Sequence, residues 1–452
     1  MSDFKFFMNL FRPTFESSPS ATSAEAGVRC TSEILGEAVM DSVSSVRDSL
    51  PEQYRAHFET LRQEIITFTE VHGISRESLG KPDLLREATY KLSIPDLERL
   101  ALLLERFEYL LKNGEPKKEE IDPAKAIEYG EKFYHLRKQY DSQVELLEEV
   151  GILKEGAILG IDGNTYPIPT LEQIAMRLFE RRETLRTKHD QGFTKLLLVP
   201  FGMSLDSLQE TLKQFLLEYK KNNPSFDLDT NKPLWAWPEY QGADIGDSPK
   251  LVYYPQSFIE DGHGGKTKAQ ILEGQETLGQ ARGDDGRMDD GGWTSDDGWK
   301  GWTIHLLQPS NMDEQDTETL KGFAPIPRKG QGTPQGDLTS RPPLEAGQSP
   351  NEYLSLLREV QNDPNSPYFQ ESGMTPEDWI IAFMIHLTET GEPMDNWQNG
   401  TESISYLTGA FFQFSTGVPY AFWSRGNRQV GFGRNDPRVR DEGIGVRSSV
   451  VV

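Results

Sequence analysis

Six aspartates crowd into residues 283–298, in the run Gly283-Asp-Asp-Gly-Arg-Met-Asp-Asp-Gly-Gly-Trp-Thr-Ser-Asp-Asp-Gly298. Calcium takes hard oxygen ligands from flexible glycine-rich loops, so Asp284, Asp285, Asp289 and Asp290 are candidate calcium ligands. The run lacks the alternating ligand positions and the closing glutamate of an EF-hand loop, and a solvated acidic loop is the favoured reading. No other cofactor is implied. The seven histidines (57, 72, 135, 189, 263, 305 and 386) are scattered, and none forms a metal-binding spacing. Gly264-Gly-Lys266-Thr267 carries the tail of a phosphate-binding loop without its leading glycine or a convincing preceding strand. There is no Gly-x-Ser-x-Gly elbow. The single cysteine, Cys30, leaves no intramolecular disulfide and no credible thiol–histidine pair. The chain reads as non-enzymatic.

A second concentration of polar side chains lies at the C-terminal end. The chain has a net charge of −24, yet from Ala421 onward six arginines stand against three acids. Gly, Asn, Ser and Asp surround these arginines, and short apolar runs, Ile444-Gly-Val446 and Val450-Val-Val452, close the segment as expected buried strands. Such a pattern suits an adaptable contact surface on a strand framework. The overall acidity argues against nucleic-acid binding, which needs dense Lys/Arg faces.

The elements that must position these groups follow from periodicity. Residues 1–30 read as a disordered Ser/Pro/Ala lead-in. A helical module is expected over 31–150. Tyr54, Phe58, Leu61, Ile65 and Phe68 repeat at helical steps, Ile94-Pro opens a helix whose face runs from Leu97 to Leu111, and Asp122-Pro123 opens a long one reaching Leu147. A small α+β unit is expected over 151–222: a hairpin around Asp162-Gly163, a helix capped by Thr170, a buried strand within 193–201 and an amphipathic helix from Ser204 to Asn222. Residues 223–349 alternate aromatic islands (Trp235-Ala-Trp237, Leu251–Tyr254, Gly301–Leu307) with Gly/Asp/Pro-rich stretches, an irregular region expected to pack in part on the C-terminal domain. From 350 order returns, with a helix opened by Thr375-Pro-Glu-Asp and stopped at Gly391. No run reaches the ~20 apolar residues of a membrane helix and no signal peptide is evident. The default expectation is therefore cytoplasmic, with surface display left open.

The C-terminal third, through Thr375-Pro-Glu-Asp-Trp-Ile-Ile-Ala-Phe-Met-Ile-His-Leu, Ser403-Ile-Ser-Tyr-Leu-Thr-Gly-Ala-Phe-Phe412, Val418-Pro-Tyr-Ala-Phe-Trp-Ser-Arg-Gly-Asn-Arg-Gln-Val and Gly443-Ile-Gly-Val-Arg-Ser-Ser-Val, resembles the variable proteins of diversity-generating retroelements. The resemblance implies a C-type-lectin-like α+β domain over 350–452, with a segment at 418–447 rewritten by adenine-directed mutagenesis. Rewritten asparagine codons can encode the residues found at Phe422, Ser424, Gly426, Asn427, Gly431, Phe432, Gly433, Asn435, Asp436, Arg438 and Asp441, but not Glu442. With Tyr420 these form the candidate ligand-binding surface. Trp423, Arg425, Arg428, Arg434, Gly445, Val446 and Arg447 are the candidate fixed framework. The implied function is display of a diversified surface to a protein or glycan ligand, and arginines on an acidic chain would suit an acidic partner. The expected fold class is thus multidomain, all-α followed by α+β, with homo-oligomerisation through the helical module open. The alternatives are a lectin-fold enzyme of the formylglycine-generating type, disfavoured by the missing cysteines, and a structural or assembly protein.

Overall fold

The computed structural model describes residues 47, 50–75, 78, 92, 94–115, 121–280, 299–311, 319–330, 341–342, 344–359, 366–396 and 403–452. The lead-in over 1–30 and the Asp-rich run fall outside them. The chain is mixed α+β, and its described residues form two compact units that meet in sequence near residue 120.

The described residues of the first unit form a helix pair, α1 (Glu52–Val71) and α2 (Ile94–Asn113). Its apolar stripes meet through Phe58, Leu61, Ile65, Leu103, Phe107 and Leu110, and the Phe58 and Phe107 rings stack at 5.1 Å. The expected helix over 123–147 is two helices, α3 (Pro123–Tyr134) and α4 (Leu136–Glu149). His135 adopts a left-handed conformation (φ 46°) that interrupts the hydrogen-bond ladder. Both belong to the second unit rather than to the helical module. Gln139 and Gln143 of α4 explain the placement: their side-chain oxygens accept from the backbone N–H groups of Leu196 and Leu198, clamping the helix along a strand.

The second unit continues with the expected hairpin, β1 (Ala157–Leu159) and β2 (Thr165–Pro167). Helices α5 (Leu171–Glu180) and α6 (Arg182–Asp190) follow, α5 opened by a Thr170/Gln173 capping box. Then come β3 (Lys195–Val199), α7 (Leu205–Asn222), β4 (Leu234–Ala236), β5 (Leu251–Tyr253), α8 (Lys268–Gln280), β6 (Thr303–Leu307), α9 (Pro350–Glu359), β7 (Glu371–Gly373) and α10 (Pro376–Thr390). The tail forms β8 (Ile404–Tyr406), β9 (Ala410–Phe412), β10 (Val418–Ser424), β11 (Gln429–Asn435), β12 (Ile444–Val446) and β13 (Ser448–Val451).

Two sheets organise the unit. One has the order β12-β8-β10-β11-β4, and the other β3-β6-β13-β7. The second draws β3 from the expected small α+β unit, β6 from the irregular region and β7 and β13 from the C-terminal region, all antiparallel. The three stretches 151–222, 223–349 and 350–452 therefore do not stand as separate domains, because a sheet shared among them buries one core. Helix α10 is apolar on nearly every side and buried from Pro376 to Leu387, as expected of a helix enclosed by other elements. It packs on β3, on β10 and on α7. Its Thr375/Asp378 capping box and left-handed Gly391 (φ 77°) set the ends that the sequence announced.

Candidate functional site

The tail's strands β10 and β11 form a seven-residue antiparallel hairpin in which Tyr420 faces Gly433, Phe422 faces Gly431 and Ala421 faces Phe432. Side chains alternate between faces along a strand, and directly opposed residues share a face. The inner face carries Ala421, Trp423, Val430 and Phe432 into the main core. The Phe432 ring meets Trp379 of α10 edge-on at 5.4 Å and lies 5.6 Å from Tyr240. Phe432 is fully buried, so the expectation that it belongs to the displayed surface is corrected. Its place between Gly431 and Gly433, two residues after Val430, is the period-two pattern that marks a core position.

The outer face carries Tyr420 and Phe422, both half-buried, with their rings 6.0 Å apart. They lean across the neighbouring strand and lie over its glycines. A Cβ at Gly431 would stand 2.6 Å from the Phe422 ring, and one at Gly433 would stand 2.3 Å from that of Tyr420. These glycines are floor rather than contact surface: their lack of a side chain lets the rings lie down on the sheet. On the far side of β11, β4 pairs in parallel and sets Trp235 opposite Gly431. The Trp235 and Trp237 rings meet at 6.3 Å, and Trp237 is 40% exposed. Both tryptophans were missed as site residues. Their Trp-Ala-Trp alternation is visible in the sequence, but their neighbourhood is made by a pairing across almost two hundred residues.

The remaining candidates lie at the two ends of the hairpin. At the tip, Arg425, Gly426, Asn427 and Arg428 are exposed, and Ser424 accepts a hydrogen bond from the Asn427 N–H at 3.3 Å. At the other end Asn435 donates to the Tyr406 hydroxyl at 3.0 Å. Asp436 binds the Arg438 guanidinium through both carboxylate oxygens, which pushes its pKa down to about 2. Asp441 accepts from the Gly443 N–H. Seven residues of strand separate the ends by about 20 Å. Between them Ser424, Gly431 and Gly433 are buried, so the expectation that these three belong to the displayed surface is corrected too, and the candidates that reach solvent are Tyr420, Phe422 and the two end loops.

The candidate framework divides. Trp423, Gly445, Val446 and Arg447 are buried. A Cβ at Gly445 would stand 2.5 Å from Ile326. Arg447 donates to Asp395 at 2.8 Å, and Asp395 in turn accepts from the Trp379 indole at 2.7 Å. Arg425 and Arg428 instead sit exposed at the tip, Arg428 left-handed at φ 56°.

The arginines of the tail are largely neutralised. Arg428 pairs with Asp227 at 3.6 Å, Arg434 with Glu239, Arg438 with Asp436 and Arg440 with Glu352. Arg434 also lies 5.3 Å over the Trp237 ring. The surplus positive charge that suggested an acidic partner is thus cancelled pair by pair, Arg425 alone showing no carboxylate partner among the described residues.

The core holds charged groups that the sequence did not reveal. Lys268 bonds Glu377 at 2.8 Å and also reaches Asp244. Burial alone would lower its pKa, but the two carboxylates outweigh that and raise it. For Glu377 burial and the neighbouring Asp244 win over the lysine, so its pKa is raised. Glu371 is held low by Arg341 and Lys188 against its burial. His305 reaches Ser449 at 3.0 Å through Nδ1 and Asp378 at 3.3 Å through Nε2. These residue types, in this order, could relay a proton to a nucleophile. All three are sealed inside the core, at no more than 1% exposure. The contact ties β6, β13 and the start of α10 together. His386 is packed in the core, accepting the Phe323 N–H at 2.9 Å. Burial and the nearby Arg447 and Lys195 push its pKa down to about 3.

Among the described residues no group of three His, Cys, Asp or Glu gathers as for a metal ion, and no helix is long and apolar enough to cross a membrane. The candidate calcium ligands Asp284, Asp285, Asp289 and Asp290 lie outside the described residues. Compared with known proteins, the chain matches no family model, no curated protein and no solved structure.

Proposed function

We propose that the chain is a non-enzymatic binding protein whose second unit ends in a C-type-lectin-like arrangement, diversified by a retroelement over 418–447. In this reading the helix pair anchors the display or joins copies of the chain, and the outer face of the β10–β11 hairpin meets the ligand. The observation that carries the proposal is the sorting of the hairpin. The residues reachable from rewritten asparagine codons, the buried Ser424, Gly431, Phe432 and Gly433 apart, fall on the outer face and its two end loops, whereas Trp423, Val446 and Arg447 are locked into the core. A surface whose residues can change while the scaffold stays rigid is the logic of antibody-type binding surfaces.

The test is the DNA beside the gene. A near-repeat of the codons for 418–447, differing at adenines, together with a reverse-transcriptase gene, is the expected finding. Absence of both overturns the retroelement reading. A non-diversified binding surface would then still be testable by substitution at Phe422, Asn427 and Asn435.

A further inference from the structure

We infer that the outer face of the hairpin takes an uncharged glycan, bound by stacking of its sugar rings on the aromatic patch formed by Trp235, Tyr420 and Phe422, beside a Trp237 ring that Arg434 already covers. The inference deepens the reading of this face as a ligand surface and rests on it.

Two observations carry it. The first is shape. Tyr420 and Phe422 lie down over Gly433 and Gly431, and Trp235 stands next across β11 at the same register. The rings make an uneven aromatic patch, with Tyr420 and Phe422 tilted by 37° to each other and Trp235 edge-on to Trp237 at 65°. A π-face carries partial negative charge, and the C–H face of a pyranose ring presents partial positive hydrogens to it across an apolar contact. Tyr420 and Phe422, lying over glycines, each present a ring face on which a sugar unit can stack.

The second observation is charge. A phosphorylated, sulfated or acidic ligand would need unpaired cations along the patch. Arg434 beside Trp237 is instead paired with Glu239, and Arg428 at the tip with Asp227, which leaves Arg425 at the tip as the one arginine here with no carboxylate partner among the described residues. Each pair still offers donors and acceptors outward with almost no net charge. That fits hydroxyl groups, which donate and accept alike. A nucleic-acid strand also stacks on aromatic platforms, but it demands a basic groove along its backbone, which this face lacks.

The intact protein should be applied to an array of uncharged β-linked hexose oligosaccharides, with sialylated and sulfated counterparts, at low and high salt. Retention on uncharged members, insensitive to salt, is expected. Trp235→Ala and Phe422→Leu should each weaken it about tenfold, with the thermal midpoint of the leucine variant checked against the parent. Leucine keeps most of the volume and removes the π-face, so it separates stacking from simple burial. Retention only on charged glycans, or retention that falls with salt, overturns the inference. So does binding untouched by both substitutions, or no glycan retained by folded protein. A protein ligand captured through Phe422 in the absence of glycan binding would sink the glycan and leave the display reading standing. The flanking-DNA test fails or succeeds independently.

Discussion

The two faces of the β10–β11 hairpin are made from the same fourteen residues and differ in what each side chain is free to do. On the inner face Trp423 and Phe432 are wedged against α10, and every change of volume is felt by a close-packed core. On the outer face Tyr420 and Phe422 rest on glycines, with solvent in reach. The lesson is that strand alternation gives a hairpin one face wholly committed to folding and one only partly so. The outer face is packed at its Val418 end, in a second cluster with Tyr406 and Val446, and is open along Tyr420 and Phe422.

Substitution should break this contrast most sharply at Phe432. Phe432→Ala is expected to lose about 3–5 kcal/mol of stability, as a ring removed from a full core, whereas Phe422→Ser should shift urea unfolding by about 0.5 kcal/mol or less. Similar losses at the two positions would refute the assignment of faces.

Acid is expected to act through the inner side. His386 sits on the helix beneath the hairpin with its pKa pushed down from 6.5 to about 3. The unfolded chain therefore binds a proton that the folded one does not between those values. Stability from the neutral imidazole is complete above about pH 6.5 and falls as pH drops toward 3, by up to ~1.4 kcal/mol per pH unit. Urea midpoints measured from pH 7 to pH 4 should show this slope, and His386→Gln should flatten it. An unchanged slope in that variant would place the acid sensitivity elsewhere.

A smaller effect would sharpen the outer face. Gly433→Ala and Gly431→Ala each set a Cβ into a ring, which should cost about 1–3 kcal/mol. Tyr420→Ala should recover much of the Gly433→Ala loss, and Phe422→Ala much of the Gly431→Ala loss, in double-mutant cycles. Additive behaviour would mean that the rings do not rest on the glycines. If the hairpin does diversify, this coupling restricts it: an aromatic at 420 or 422 needs glycine across the strand, or the ring must turn outward.

What was legible in the sequence was local. Thr375 with Asp378, Thr170 with Gln173 and the glycine at 391 marked helix ends, because caps are made within one turn of chain. The strand character of 195–199, 303–307 and 444–451 was likewise written in short apolar runs. The break at His135 was not, since nothing in its neighbours demands a left-handed residue there.

Only the tertiary structure decided how those pieces share a core. The sheet that joins β3, β6 and β13 erased the boundaries drawn at 222 and 349, because strand pairing depends on partners far away in sequence. Pairing also turned the tail's arginines, Arg425 apart, from a basic patch into a set of neutral pairs, since Asp227, Glu239 and Glu352 all lie far upstream. The sequence by itself marked this segment as a polar contact surface; once 418–424 and 429–435 pair as strands their side chains must alternate between two faces, for the side-chain period of a strand is fixed at two. Which face met α10 and which was left for a ligand was settled by long-range packing, where burying Phe432 and Trp423 outweighs any local preference.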